Sequence, residues 1–135
     1  MNNIGYINTA YLIGDIWSQS ERMKQCGCSH IHVDSPKGRR RPEWDKFIDS
    51  LEKGDSAVLV SFDNAFRNFN DMVFFIKYCS KMEIRIISRH DELDTHDLLF
   101  PEKKTANTLD LICQVFAKRD RNSHDDLEAE LYSNE

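Results

Sequence analysis

The sequence predicts an α/β domain, a mainly parallel sheet of four to five strands with helices on both faces. Three observations carry that expectation. Ala57-Val58-Leu59-Val60 is a short all-apolar run of the kind found in strands covered on both sides. Short β-like runs alternate with amphipathic stretches along the chain, and β-α-β connections place such strands parallel. Trp44, Phe47, Ile48 and Leu51 recur at i, i+3, i+4 and i+7, a helical stripe that faces a core.

A chain of 135 residues, 40% hydrophobic and 30% charged, suits one globular domain able to bury a real core. We divide it into a domain over residues 1–122 and a polar, acidic tail or helix extension over 123–135. No apolar run approaches the ~20 residues of a membrane span. The opening Met1-Asn2-Asn3-Ile4-Gly5 has neither the basic nor the apolar region of a secretory signal. Cys26, Cys28, Cys79 and Cys113 follow no disulfide or zinc-finger spacing, so the expected setting is a reducing cytoplasm, away from membranes. The net charge of −5 argues against a surface that grips nucleic acid everywhere. Basic residues are instead concentrated in two runs, Lys37 with Arg39, Arg40 and Arg41, and Lys118 with Arg119 and Arg121.

Taken in order, Ile4-Gly5-Tyr6-Ile7 is a first strand that ends in polar Asn8 and Thr9. Residues 15–25 form a weakly amphipathic helix through Ile16, Trp17 and Met23, with Gly27 just beyond it as a C′ glycine. Ile31 and Val33 alternate with His30, His32 and Asp34 in a second strand. The two histidines share a strand face, but no third ligand stands at a convincing spacing, so no metal and no cofactor is predicted. Pro42 opens the next helix at a position where its missing N–H costs nothing, and Glu43 suits the positive helix end. Lys53-Gly54-Asp55 turns the chain into the central strand. If Asp63 begins a helical turn, Arg67 lies four residues on and projects from the same face. Asn70 or Asp71 caps the following helix, whose buried stripe is Met72, Val73, Ile76 and Cys79. Ile84, Ile86 and Ile87 make a fourth strand, and Leu98-Leu99-Phe100 is a candidate edge strand. A last helix carries Leu109, Ile112, Cys113 and Phe116 in phase, and loses its apolar pattern beyond Ala117. In a parallel sheet the loop after the first strand, the basic loop at 37–41 and the 63–67 turn converge at the carboxyl edge, where such sheets assemble their sites. That convergence describes an anion site.

The ordered set of local signatures resembles the catalytic domain of the serine recombinases, the resolvase/invertase family. Ile4-Gly5-Tyr6-Ile7 is similar to the family's opening strand, and Gln19, Met23-Lys24 and Gly27-Cys28 to its first helix and the glycine-cysteine after it. Asp34 and Gly38 lead into Arg41-Pro42-Glu43-Trp44-Asp45-Lys46, close to the family's Arg-Pro-Glu-hydrophobic-Asp run. Glu52-Lys53-Gly54-Asp55, Asp63 with Arg67-Asn68, and Leu93-Asp94-Thr95 resemble its later signatures. The resemblance implies a three-layer resolvase-like fold and a site in which a serine hydroxyl attacks a DNA phosphodiester without metal, while arginines neutralise the developing charge. Arg41, Asp63 and Arg67 match members of that cluster.

Three positions depart from it. The family's Tyr-x-Arg-x-Ser is Tyr6-Ile7-Asn8-Thr9-Ala10 here, and the arginine expected after Asp63 is Asn64. A methyl group cannot attack phosphorus, and one lost electrostatic donor typically costs ~10²–10³ in rate. Neighbouring side chains in an extended segment point to opposite faces, so Thr9 is not a natural substitute for position 10. The segment 96–108 looks longer than its counterpart in the family, and no helix-turn-helix pattern follows the last helix. The expectation is therefore a serine-recombinase-like domain that is catalytically inactive and works through DNA, as a homodimer or as a heteromer with an active recombinase. Two alternatives stand beside it. One is an active recombinase with a displaced nucleophile, for which Thr9, Ser18 and Ser61 are the candidates. The other is a module that binds a phosphorylated ligand or serves as a scaffold.

Overall fold

The computed structural model describes residues 1–11, 14–35 and 40–133, and side chains as far as Asp120 apart from that of Tyr11. Lys37, Gly38 and Arg39 of the basic loop lie outside the described residues, as does the side chain of Arg121. The elements are β1 (Asn3–Asn8), a 3-10 turn (Thr9–Tyr11), α1 (Ile16–Gln25), β2 (Cys28–Asp34), α2 (Pro42–Ser50), β3 (Ser56–Leu59), the single turn α3 (Phe62–Ala65), α4 (Phe69–Met82), β4 (Arg85–Ser88), β5 (Leu93–Asp94) and α5 (Thr105–Ser133). The sheet order is β2-β1-β3-β4-β5, parallel except for β5, which pairs antiparallel with β4. This is the α/β architecture the sequence predicts.

Alternation along β1 divides the interior between the two faces of the sheet. Ile4 and Tyr6 enter the larger core, with Trp44 and Phe47 of α2, Met72, Phe75 and Cys79 of α4, and Phe116 of α5. Ile7 points the other way, to Met23 of α1, Val58, Val60 and Ile87. The larger core is aromatic: Trp44 lies 4.8 Å from the Tyr6 ring and 5.2 Å from that of Phe75, near-edge and tilted contacts that rings favour. On the smaller side, a Cβ at position 5 would stand 2.8 Å from the Met23 sulfur, so Gly5 is what lets α1 approach the sheet. Of the predicted α1 stripe, Met23 is buried with Gln19, whereas Trp17 remains 71% exposed.

Three sequence expectations are corrected. Residues 98–100 form no strand; β5 is Leu93–Asp94, and the Asp94 carboxylate accepts the backbone N–H groups of Leu98 and Leu99, which bends that segment into a turn. The cap of α4 is Asn68, whose side chain accepts the Asp71 N–H at 2.8 Å. The turn begun at Phe62 ends at Ala65, and Phe66 is extended (φ −112°, ψ 134°), so Asp63 and Arg67 do not share a helical face. Among the described residues no helix is long and apolar enough to cross a membrane. The predicted boundary at 122 falls inside α5, which continues to Ser133.

Candidate anion cleft at the carboxyl edge of the sheet

β1 delivers Asn8 to the carboxyl edge of the sheet, and α3 delivers Asn64 to meet it. The Asn64 Oδ1 accepts the Asn8 N–H at 3.0 Å while its Nδ2 donates to the Asn8 carbonyl at 2.8 Å. Both residues are buried, so this reciprocal pair satisfies a strand end that would otherwise lose both backbone partners. The Asn8 side chain in turn accepts the Ala10 N–H at 3.0 Å. Ala10 itself is exposed in the 3-10 turn. The Thr9 hydroxyl donates to the Asp34 carbonyl at 2.9 Å, directed to the end of β2. Asn8, Ala10 and Asn64 thus form one hydrogen-bonded group without a charge in it.

Arg41 stands at the start of α2 and offers that helix no side-chain cap. Asp34 supplies the cap from the neighbouring strand, with Oδ1 accepting the Glu43 N–H at 2.9 Å and Oδ2 the Trp44 N–H at 3.0 Å. The Tyr6 hydroxyl donates to the same carboxylate at 2.7 Å. Burial first, and then this bond to Asp34, push the Tyr6 phenol well above its ordinary value, so it stays a protonated donor. With the cap supplied by Asp34, the Arg41 guanidinium is directed to the 63–71 segment. Its Nη1 donates to the Ala65 carbonyl at 2.6 Å, its Nη2 to Asp71 at 2.8 Å, and its Cζ lies 4.7 Å from the Trp44 ring centre.

Arg67 follows α3 and is half-exposed, its Nε 3.9 Å from the same Asp71 oxygen. Arg40, Arg41 and Arg67 line one open cleft of about 570 Å³ together with Pro42, Trp44 and Asp45. The structure therefore brings Arg41 and Arg67 together. Asp63 is placed differently: it is largely exposed, and its Oδ1 lies 3.1 Å from Nη1 of Arg119 on α5. Arg119 also donates to the Arg67 carbonyl at 3.2 Å, and the neighbouring Asp120 accepts the Phe69 N–H at 2.8 Å. These contacts from α5 hold the turn that carries Arg67. Sequence reading marked Arg119 only as part of a basic run, and Asp71 only as a possible cap, because their partners lie far along the chain.

A five-stranded sheet with one antiparallel edge strand, helices on both faces and arginines gathered at the carboxyl edge is an α/β domain with a candidate anion site. The chain is 26% identical over 121 residues to the transposon Tn552 DNA-invertase BinR of Staphylococcus aureus, a match covering 88% of this chain and 61% of that protein. It thus spans about three-fifths of the length of the curated relative it matches. A resolvase family site-specific recombinase from Streptococcus pneumoniae superposes with a TM-score of 0.66 at 13% identity, over 98% of this chain and 97% of that one. No family model matches the chain. The sequence similarity and the shared fold support a serine-recombinase (resolvase/invertase)-like domain.

Proposed function

We propose that this domain engages the phosphate backbone of DNA in a recombination system without cutting it, as a homodimer or as a heteromer with an active recombinase. One observation supports the reading: Asn8, Ala10 and Asn64, the positions that the resemblance matches to a hydroxyl and two arginines, are joined by hydrogen bonds into a neutral group. Arg41 and Arg67, which the resemblance matches to members of the family's cluster, line a cationic cleft with Arg40. Guanidinium groups fit phosphate oxygens in shape as well as charge. Asp63, the third matching member, supports the turn through Arg119.

The candidate displaced nucleophiles are engaged elsewhere. Thr9 donates to the Asp34 carbonyl, Ser18 is bonded to Asp15, and the Ser61 hydroxyl accepts the Asn64 N–H at 3.0 Å. The test is incubation with supercoiled plasmid and with short duplexes, followed by denaturing electrophoresis. The expected result is intact DNA and no covalent protein–DNA adduct. An adduct that survives detergent overturns the proposal, and mapping it to Thr9, Ser18 or Ser61 would make the domain an active recombinase with a displaced nucleophile.

A further inference from the structure

We infer that Asp71 is a built-in counter-anion of the Arg41–Arg67 cleft, which competes with phosphate for the two guanidinium groups and so sets how tightly the cleft holds DNA. The inference rests on the reading of that cleft as a phosphate cradle, and it adds the residue that tunes it.

One carboxylate oxygen of Asp71 meets three donors. It accepts Arg41 Nη2 at 2.8 Å and the Arg67 backbone N–H at 3.1 Å, and lies 3.9 Å from Arg67 Nε. The Asp71 and Arg41 side chains are only 12% and 9% exposed, while that of Arg67 is 54% exposed. A guanidinium so withdrawn from water needs an anion beside it, and Asp71 supplies one when no ligand is bound. Two further features hold the carboxylate there. Asp71 lies in the first turn of α4, where the helix dipole favours negative charge, and its own N–H is fixed by the Asn68 cap.

The consequence is an exchange. Arg41 already donates to Ala65 and Asp71, and the Trp44 ring lies against it. A phosphate oxygen that takes the Nη2 donor now on Asp71 replaces a carboxylate oxygen, which is the same kind of acceptor to a guanidinium. Binding gains the difference between two anions rather than the whole interaction. Among the described residues, Arg40, Arg41 and Arg67 line the cleft with Asp45, and Asp71 is the acid bonded to Arg41. Asparagine at 71 keeps an oxygen for the Arg67 N–H and the Arg41 fork but removes the competing charge.

Fluorescence anisotropy with a short labelled duplex, over a salt series, tests this on the full chain. The expected result for Asp71→Asn is binding roughly tenfold tighter, the effect of one charge close to the contact. The salt dependence should steepen by about 0.9 in d log K/d log[salt], one more phosphate effectively neutralised. Asp110→Asn, which removes an equal charge from an exposed position on α5, should stay within about twofold of the parent. Equal affinity of Asp71→Asn and the parent overturns the inference, and so does an equal gain in Asp110→Asn, which would mean bulk charge alone. If the parent binds and Arg67→Ala weakens it while Asp71→Asn changes nothing, the phosphate cradle stands and the counter-anion falls. If neither protein binds, both fall. A second measurement needs no variant: in the parent, the Asp71 carboxyl ¹³C resonance should move on saturation with duplex as its guanidinium partner leaves. A resonance that stays in place with DNA bound overturns the exchange.

Discussion

Asn64 shows most directly how a candidate site position serves the fold. Its amide bridges both backbone groups of Asn8 inside the fold. Truncating it to alanine leaves a buried N–H and a buried carbonyl without partners, each worth about 1–3 kcal/mol. Asn64→Ala should therefore lower unfolding stability by about 2–4 kcal/mol in urea titration, and a loss under about 0.5 kcal/mol would remove the pair from any structural role. Ala10→Ser makes the complementary point. It puts a hydroxyl on an exposed turn but adds no charge at Asn8 or Asn64. The expected outcome is no adduct with duplex DNA in a denaturing gel, and cleavage by this single variant would place the whole defect at position 10. The departures of Asn8, Ala10 and Asn64 from the resembled motif were legible in the sequence. Their mutual bonding was not, because Asn8 and Asn64 lie 56 residues apart and only the parallel sheet brings them together.

Among the elements, the β4–β5 edge shows where pattern reading fails. Leu98-Leu99-Phe100 has the composition of a strand, yet Leu98 and Leu99 are 67% and 52% exposed. What decides the path is Asp94, which binds the Arg85 guanidinium and accepts the N–H groups of His96, Leu98 and Leu99. A single carboxylate that organises a loop leaves no periodic trace in sequence. It does leave a titration. Burial alone would raise the Asp94 pKa, but Arg85 and those three N–H groups outweigh it and hold the group well below its ordinary 3.8. A carboxylate depressed in the folded state contributes stability that is present above its unfolded pKa and lost as pH falls towards the folded one. Stability should thus be nearly flat in this respect above about pH 5 and fall progressively below about pH 4. Asp94→Asn should flatten that acid slope while lowering stability at neutral pH. Denaturant midpoints across pH check both, and an unchanged slope in Asp94→Asn would assign acid unfolding to other carboxylates. The helices were easier to read. The α2 stripe stands as expected, with Trp44, Phe47 and Leu51 buried, because it is strict and covers the sheet directly.

At the scale of the molecule, α5 joins the candidate site to the surface through which the domain is proposed to associate. One side of the helix is spent inward: Phe116 is buried, Arg119 and Asp120 hold the turn that carries Arg67, and the Arg119 guanidinium lies 4.0 Å from the Phe116 ring. Four residues apart on another side, Leu111 and Val115 are 63% and 59% exposed and line a groove with Phe62, Ile112 and Phe116, with Asp63 and Asp91 also in its lining. Apolar neighbours at this spacing form a contiguous ridge, and such a ridge is costly to leave in water. Under the proposed association the ridge is covered by a second chain. Leu111→Glu with Val115→Glu should then convert a dimer into a monomer in size-exclusion chromatography with light scattering. The effect on thermal stability should be small, since neither side chain contributes to the core. A parent that runs as a monomer at tens of micromolar, alone and with duplex DNA, would confine association to a different recombinase chain. Mixing the two should then show the ridge variant failing to join. Charge points the same way. With a net charge of −5, a single domain presents only a local cationic cleft to DNA. Two copies, or one copy beside an active recombinase, would present two such clefts on one duplex, and the second contact becomes effectively intramolecular once the first is made. The ridge variant should therefore lose DNA affinity along with its partner, although no residue that touches phosphate has changed.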